Sequence, residues 1–159
     1  MTRENHLNKL KLKIPPIALV IIFSILMSGV SKLLPSQGIF GSIDITISIL
    51  CVISGSVISL LGVMAFRRAQ TTVNPMLPQG SSTLVTSGIY SISRNPMYVG
   101  FLLLLIGLGF FLSSIYSLML CAVFVLYMNR FQIQPEEEFL ESLFFDDYRR
   151  YKANVRRWC

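Results

Sequence analysis

The chain has 159 residues, of which 53% are hydrophobic and only 14% are charged, and its formal net charge is +6. This length suits one domain, and so little charge excludes an ordinary soluble protein and indicates a membrane protein. The basic residues flank apolar runs instead of forming one stripe, which favours lipid head groups over a nucleic-acid partner. The three cysteines and the single histidine lack metal-ligand spacing, so neither a metal site nor a disulfide framework is expected.

Two apolar runs dominate residues 1–66. The first, Ile14 to Leu34, follows a basic tail and is too long for the apolar part of a signal peptide. The second, Ile43 to Phe66, contains three small residues near helical spacing, a pattern that permits close approach of another helix: Gly55, Ser59 and Gly62. We predict that each run is a transmembrane helix.

A polar segment, residues 69–95, leads into the next apolar run. It is long for a simple connection and carries little charge, which favours a functional loop. Its last part, LVTSGIYSISRNPMY, ends at Tyr98. Gly88 suits a turn with positive φ, and Pro96 suits the first turn of a helix that begins near Met97. From these residues alone, the stretch could equally be a membrane-flanking loop with an arginine and tyrosines at the lipid interface.

The apolar stretch from Met97 to Met128 is too long for one span and short for two. We predict a tight helical hairpin that turns at Ser113-Ser114. Each arm of about 15 residues would measure about 23 Å, less than the ~30 Å apolar core of a bilayer. The arms must therefore extend at their ends, through residues such as Tyr127 and Phe131, or the bilayer must thin.

An amphipathic helix is predicted to begin at Pro135 and its neighbouring glutamates. Aromatic residues and leucines recur at helical spacing up to Tyr151, which is typical of a helix lying at the membrane interface. The segment VRRW, residues 155–158, adds a basic and aromatic anchor there.

The distribution of basic residues predicts the orientation. Four Lys/Arg precede the first span, three lie between the second and third spans, and six lie from Arg130 onward, whereas the opposite loops have only Lys32 beside them. The positive-inside rule then gives four spans with both termini in the cytoplasm. The predicted fold is an all-α integral membrane protein with four transmembrane helices, the last two a tight hairpin, plus a C-terminal amphipathic interfacial helix. We expect a bacterial or archaeal cytoplasmic membrane.

Two blocks resemble the isoprenylcysteine carboxyl methyltransferase family and related bacterial integral membrane phospholipid methyltransferases. LVTSGIYSISRNPMYVG, residues 84–100, is similar to (L/V)-V-T-x-G-x-Y-x-x-x-R-(H/N)-P-x-Y-x-G. EEEFLESLFFDDYRRY, residues 136–151, resembles the family's E-E-x-x-L…F-G-x-x-Y-x-x-Y ending. The resemblance implies a single membrane methyltransferase domain, 1–159, whose catalytic half is 67–159. The chain departs from the family pattern at three positions: Asn95 replaces His, Gln132 replaces an arginine, and Phe145 replaces Gly.

The resemblance implies S-adenosylmethionine as the cofactor, with S-adenosylhomocysteine as its product. Tyrosine rings can face a sulfonium cation, and a glutamate can accept hydrogen bonds from an ammonium or a ribose. The residues that align with the family's cofactor site are Ser82, Thr83, Leu84, Val85, Tyr90, Asn95, Pro96, Met97, Tyr98 and Glu136. The cytoplasmic active site would then include both blocks.

Three further residues are candidates for the catalytic machinery: Arg94, Arg130 and Glu137. Arg130 lies two residues before the position of the family's substrate-orienting arginine, so it is the candidate for holding the acceptor's head group. A carboxylate acceptor needs no general base, whereas an amine acceptor would, and Glu137 or a tyrosine is the candidate for that role. The resemblance favours a carboxyl O-methyltransferase, although a lipid head group remains possible as the acceptor. The expected partners are the bilayer and a lipophilic acceptor, with the oligomeric state open.

Two other functions fit parts of the pattern. Membrane sterol reductases, which use NADPH, have a similar R-(H/N)-P-x-Y block. A non-enzymatic membrane scaffold protein could also retain this arrangement of helices. Titration with S-adenosylhomocysteine and with NADPH distinguishes the three.

Overall fold

The structure, a computed structural model, describes residues 14–34, 41, 43–69 and 83–159. Five α-helices are formed within these ranges: α1 Pro16–Leu33, α2 Ile43–Arg68, α3 Pro96–Phe111, α4 Ile115–Tyr127 and α5 Gln134–Asn154. A 3-10 turn spans Gly88–Ser91, and a π-helical segment, Met128–Ile133, joins α4 to α5. The β-type pairing in the described ranges is one isolated parallel bridge, between Ser93 and Arg156. The prediction of an all-α fold is confirmed.

Among the residues that the structure describes, three helices are long and apolar enough to cross a membrane. They are α1, α2 and the continuous helix Ile115–Asn154, which combines α4, the π-helical segment and α5. The 16 residues of α3 are apolar but would span only about 24 Å. The chain is an integral membrane protein, and the count of four spans stays a prediction.

The second arm of the hairpin differs from its predicted form. We expected a separate interfacial helix beginning near Pro135, but α4 continues without a break through Phe131 into α5. Pro135 has no N–H to donate to the preceding turn, and the wider π-turns of Met128–Ile133 take up the change of register there. The arm does continue beyond Met128, which is one of the two alternatives that its short length left open.

Small residues set the crossing of α2 and α3. A Cβ placed on Gly55 would lie 2.7 Å from the carbonyl oxygen of Gly100, and one on Gly100 would overlap the Ser59 hydroxyl. Two bare backbones are therefore in direct contact, as the sequence predicted from its glycines and serine.

The remaining packing fixes the α3–α4 hairpin against α1. The rings of Phe23 and Phe124 meet edge to face at 5.3 Å, and the Ser117 hydroxyl donates to the Met27 carbonyl at 2.9 Å. The hairpin turns at Leu112 to Ser114, with Ser113 at φ 47°, which confirms the predicted turn. As a result, the start of α3 and the start of α5 lie at the same end of the hairpin.

Candidate functional site

The loop before α3 forms one wall of the site. Gly88 has φ +64° and opens the 3-10 turn, as predicted, and the ring of Tyr90 packs edge to face on Phe66 of α2 at 5.2 Å. Pro96 occupies the first turn of α3, with Asn95 at the N-cap. The chain is not helical between Ser91 and Asn95, so the side chains of this loop are placed by its own contacts and not by helical spacing.

Residues 155–159, which we call the strap, form the opposite wall. The Arg94 amide donates to the Arg156 carbonyl at 3.0 Å, and the Asn95 side-chain amide donates to the Arg157 carbonyl at 2.9 Å. The Trp158 indole donates to the Asn129 side chain of the π-helical segment at 2.9 Å. The strap thus joins the start of α3 to the entrance of α5.

A buried ion cluster lies between these walls. Glu137 receives a 2.9 Å contact from Nη2 of Arg94, and both of these side chains are more than 90% buried. Arg157 binds the same carboxylate with two nitrogens, Nε at 3.1 Å and Nη2 at 2.5 Å. Nε and Nη1 of Arg94 are buried and have no hydrogen-bond partner in the described part of the chain. Two arginines therefore share one carboxylate, and the cluster carries a formal charge of +1.

Glu136 points away from this cluster, because consecutive residues of a helix project about 100° apart. Its carboxylate accepts a hydrogen bond from the Tyr98 hydroxyl at 3.1 Å. Burial raises the pKa of Glu136 to about 7; the Tyr98 hydrogen bond opposes this rise and the charge of Glu137 adds to it. The charge of this side chain is therefore sensitive to pH near neutrality.

Tyrosines complete the site. The Tyr151 hydroxyl donates to the Tyr90 carbonyl at 2.6 Å, and Tyr148 is almost fully buried nearby. Burial and the charge of Glu136 raise the pKa of Tyr90, and burial raises the pKa of Tyr148 and of Tyr151, so these phenols stay neutral at physiological pH. Beside Tyr151 an open cleft of about 470 Å³ lies between the loop and the second half of α5, lined by Leu84, Thr86, Asp147, Arg150, Tyr151 and Asn154.

The structure brings together most of the residues that the sequence indicated. Arg94, Asn95, Tyr98, Glu136 and Glu137 are joined through direct contacts or through the strap, and Pro96 is buried beneath them. Tyr90 is tied to α5 through its carbonyl, which accepts the Tyr151 hydroxyl. The two blocks, separated in the sequence by the whole hairpin, form one site.

Other predicted residues lie at its edge or elsewhere. Ser82 lies outside the described residues; Thr83 is exposed, Val85 is buried, and Met97 packs on α2 beside Gly62. Arg130 is exposed and donates to the Gln134 side chain at 3.1 Å. The neighbouring Gln132, which replaces the family's arginine, is fully buried and donates to the Ile14 carbonyl at 2.7 Å.

Sequence reasoning missed the part played by the strap. We expected Arg157 and Trp158 to anchor the chain at the membrane surface, whereas both turn inward, to Glu137 and Asn129. Nothing in their spacing indicates these partners. One signal was available in the pair Glu136-Glu137. Buried adjacent carboxylates require cations, and because Arg94 supplies only one positive charge, a second cation could have been expected.

The helices and the site define an integral membrane protein with a polar centre at one end of an apolar hairpin. Residues 43–147 match the family model described as phospholipid methyltransferase, so the chain belongs to this family of membrane methyltransferases. Its relatives include proteins named as protein-S-isoprenylcysteine O-methyltransferases.

Three relatives show how far the similarity extends. An uncharacterized protein of Haemophilus influenzae is 45% identical over 62 residues, 39% of this chain and 98% of its own length. The protein-S-isoprenylcysteine O-methyltransferase of Schizosaccharomyces pombe is 36% identical over 72 residues, 45% of this chain and 30% of that enzyme. A probable protein-S-isoprenylcysteine O-methyltransferase of Oryza sativa subsp. indica is 32% identical over 112 residues, 69% of this chain and 57% of that protein. The match thus spans about a third to over half of the two named methyltransferases. No solved structure matches the chain.

Proposed function

We propose that the protein transfers a methyl group from S-adenosylmethionine to a lipophilic acceptor at the cytoplasmic face of the membrane. The observation that carries this proposal is the meeting of the two sequence blocks at one site, through Arg94–Glu137 at 2.9 Å and Tyr98–Glu136 at 3.1 Å. The names of the S. pombe and rice relatives favour a carboxylate as the acceptor. The count of basic residues supports the cytoplasmic orientation.

The residues present fit the cofactor's charges. The two unpartnered nitrogens of Arg94 suit a carboxylate, because a buried guanidinium binds such groups by charge-assisted hydrogen bonds. Glu136 can accept from an ammonium or a ribose hydroxyl, and the ring of Tyr90 can face a cation, an interaction worth about 0.5–2 kcal/mol. When bound, S-adenosylmethionine supplies an activated methyl group on a sulfonium, which is already a good leaving group.

The protein's own contribution would be positioning and exclusion of water. The Arg94–Glu137–Arg157 cluster is held on both sides by the loop and the strap, which preorganises its charges. The apolar hairpin allows an acceptor to reach the site from the bilayer while its polar group stays at the cluster. Both oxygens of the Glu137 carboxylate are engaged by arginines, which leaves neither directed at an acceptor and favours an acceptor that needs no base.

Calorimetric titration of the purified protein with S-adenosylhomocysteine and NADPH tests the cofactor. We expect binding of S-adenosylhomocysteine, weakened about ten- to a hundredfold in Glu136→Gln because a hydrogen bond to a charged group is lost. Ser142→Ala, in the exposed part of α5, is the matched control and should bind normally. Binding of NADPH alone would favour the reductase.

The acceptor is tested by radiolabelled methyl transfer in membranes supplied with either an S-prenylated cysteine or phosphatidylethanolamine. A methyl ester releases volatile methanol in alkali, whereas an N-methyl group does not. Alkali-labile label on the prenylated cysteine is the expected result. Alkali-stable label on the phospholipid would replace the carboxylate by an amine, and no transfer to either would leave the activity unsupported.

A further inference from the structure

Arg157 holds both halves of the site at once. Its side chain binds the Glu137 carboxylate with two nitrogens, and its carbonyl accepts hydrogen bonds from the Asn95 amide at 2.9 Å and the Ser93 hydroxyl at 3.5 Å. Arg157 belongs to neither of the two sequence blocks. It nevertheless contacts both blocks, in addition to the direct Arg94–Glu137 and Tyr98–Glu136 contacts between them.

The sharing of Glu137 has an electrostatic consequence for Arg94. With Arg157 present, one carboxylate is divided between two guanidinium groups, and the cluster keeps a net positive charge. Without Arg157, the buried Arg94–Glu137 pair would be neutral. The attraction of a third, anionic group to the free Nε and Nη1 of Arg94 would then fall, because the opposing charge of Glu137 would no longer be compensated.

We infer that Arg157 is a positioning residue that keeps Arg94 available to bind a carboxylate or phosphate group of a ligand. This inference rests on the proposed function, since the anion comes either from the amino-acid part of the cofactor or from the head group of the acceptor. Because Arg94 is buried, bulk water does not reach its free nitrogens, and their partner is more readily a bound ligand. Its side chain is 8% exposed, whereas the Arg157 side chain is 36% exposed.

Two probes separate the contribution of the anion from that of the rest of the cofactor. S-adenosylhomocysteine has the amino-acid carboxylate and ammonium, and 5′-methylthioadenosine lacks both. Because Arg157 is itself a cation, its removal should not weaken the binding of an ammonium group, so a selective loss of S-adenosylhomocysteine affinity reports the carboxylate. Calorimetry on Arg157→Ala should show S-adenosylhomocysteine binding weakened about tenfold or more, with 5′-methylthioadenosine binding within about twofold of the wild type. A purely structural role would weaken both probes alike, and an unfolded variant would bind neither.

Two further variants sharpen the test. Arg157→Lys keeps the charge but not the two-nitrogen contact, so it should recover part of the lost affinity. Arg156→Ala is the matched control, because the exposed Arg156 gives the site only its backbone carbonyl. It should behave as the wild type.

Kinetic measurements with the methyl acceptor test the other possible source of the anion. If S-adenosylhomocysteine affinity is unchanged in Arg157→Ala but the KM for the S-prenylated cysteine rises about tenfold with kcat retained, the anion belongs to the acceptor, and the inference stands. Suppose that the wild type binds S-adenosylhomocysteine and that Arg157→Ala changes neither this affinity nor the KM for the S-prenylated cysteine. The inference is then wrong and the proposed function survives. A wild-type protein without that binding overturns both.

Discussion

Glu136 is the residue whose chemistry depends most directly on its surroundings. Its carboxyl is partly buried, receives the Tyr98 hydroxyl, and is followed in sequence by a second carboxylate. Burial and the charge of Glu137 raise its pKa by more than the Tyr98 hydrogen bond lowers it, and the resulting pKa is about 7. A group of this kind changes charge within the physiological range, so its ligand affinity should depend on pH.

We therefore predict that S-adenosylhomocysteine binds more weakly as the pH falls from about 8 to about 6. Below its pKa Glu136 is neutral and loses its attraction for the ligand's ammonium group, and above it the attraction is fully present. Burial and the charge of Glu136 raise the pKa of Tyr90, so Tyr90 stays protonated throughout and does not contribute. Calorimetry across this range measures the change, and Glu136→Gln should remove it. The same pH dependence in that variant would assign the titration to another group.

Arg130 has a different setting. It is exposed, its only described side-chain partner is Gln134, and it lies where the π-helical segment leaves the apolar part of the hairpin. We predict that Arg130→Ala lowers methyl transfer about tenfold or more while S-adenosylhomocysteine binding stays unchanged, because the guanidinium would hold the acceptor's head group. Arg130→Lys should restore transfer only in part. Full turnover of Arg130→Ala would make this arginine a simple interfacial residue.

At the scale of single elements, α5 is kinked at Phe145, whose backbone is not helical. Phe145 has φ 44° and ψ −117°, a conformation that costs a residue with a Cβ about 1–3 kcal/mol and that glycine adopts readily. The residue is 67% exposed, so its side chain gains little from packing within the protein. The family's Gly at this position is therefore explained by the backbone.

We predict that Phe145→Gly raises the thermal unfolding midpoint in detergent, with a gain of about 1 kcal/mol after the entropic cost of glycine is subtracted. Leu143→Gly is the matched control. It introduces glycine two residues earlier, where the helix is regular, and should lower stability by about 1 kcal/mol. A lower midpoint for Phe145→Gly would mean that the Phe145 ring stabilises the protein through its surroundings.

The α2–α3 crossing gives an opposite prediction for alanine. Gly55→Ala should destabilise the protein by roughly 1–3 kcal/mol, because the new Cβ would approach the Gly100 carbonyl to 2.7 Å and push the helices apart. At Gly29 on α1 a Cβ would meet nothing within 4 Å, so Gly29→Ala should be neutral or slightly stabilising. Thermal unfolding of both variants measures the difference. Equal midpoints would indicate that the crossing adjusts without cost.

These elements show which features can be predicted from sequence. Gly88, Pro96 and the Ser113-Ser114 turn have local causes, since positive φ, a first-turn proline and a polar break act within a few residues. The Arg157–Glu137 contact and the Gln132–Ile14 hydrogen bond depend on how distant segments pack. Likewise, only the rotation of α5 determines that Glu136 faces Tyr98 and Glu137 faces Arg94.

At the scale of the whole molecule, the fold places polar chemistry at one end of an apolar body. The hairpin returns the chain to its starting side, where the loop, the strap and the first turn of α5 meet. The opposite end of the hairpin, at Leu112 to Ser114, has no charged residue. This asymmetry matches the distribution of basic residues, which the positive-inside rule relates to orientation.

We predict that the site end faces the cytoplasm and that the segment between the first two spans faces the opposite side. In sealed cells, a membrane-impermeant maleimide should label Gln37→Cys from outside, whereas Cys159 should react only after the membrane is permeabilised. Cys51 and Cys121 lie within apolar helices, so they should contribute little signal, and Cys159→Ser identifies the label on the strap. Three spans are predicted between residue 37 and Cys159, so labelling of both positions from the same side would contradict this topology. Labelling of Cys159 alone from outside would invert the protein and move the proposed methyl transfer to the other face of the membrane.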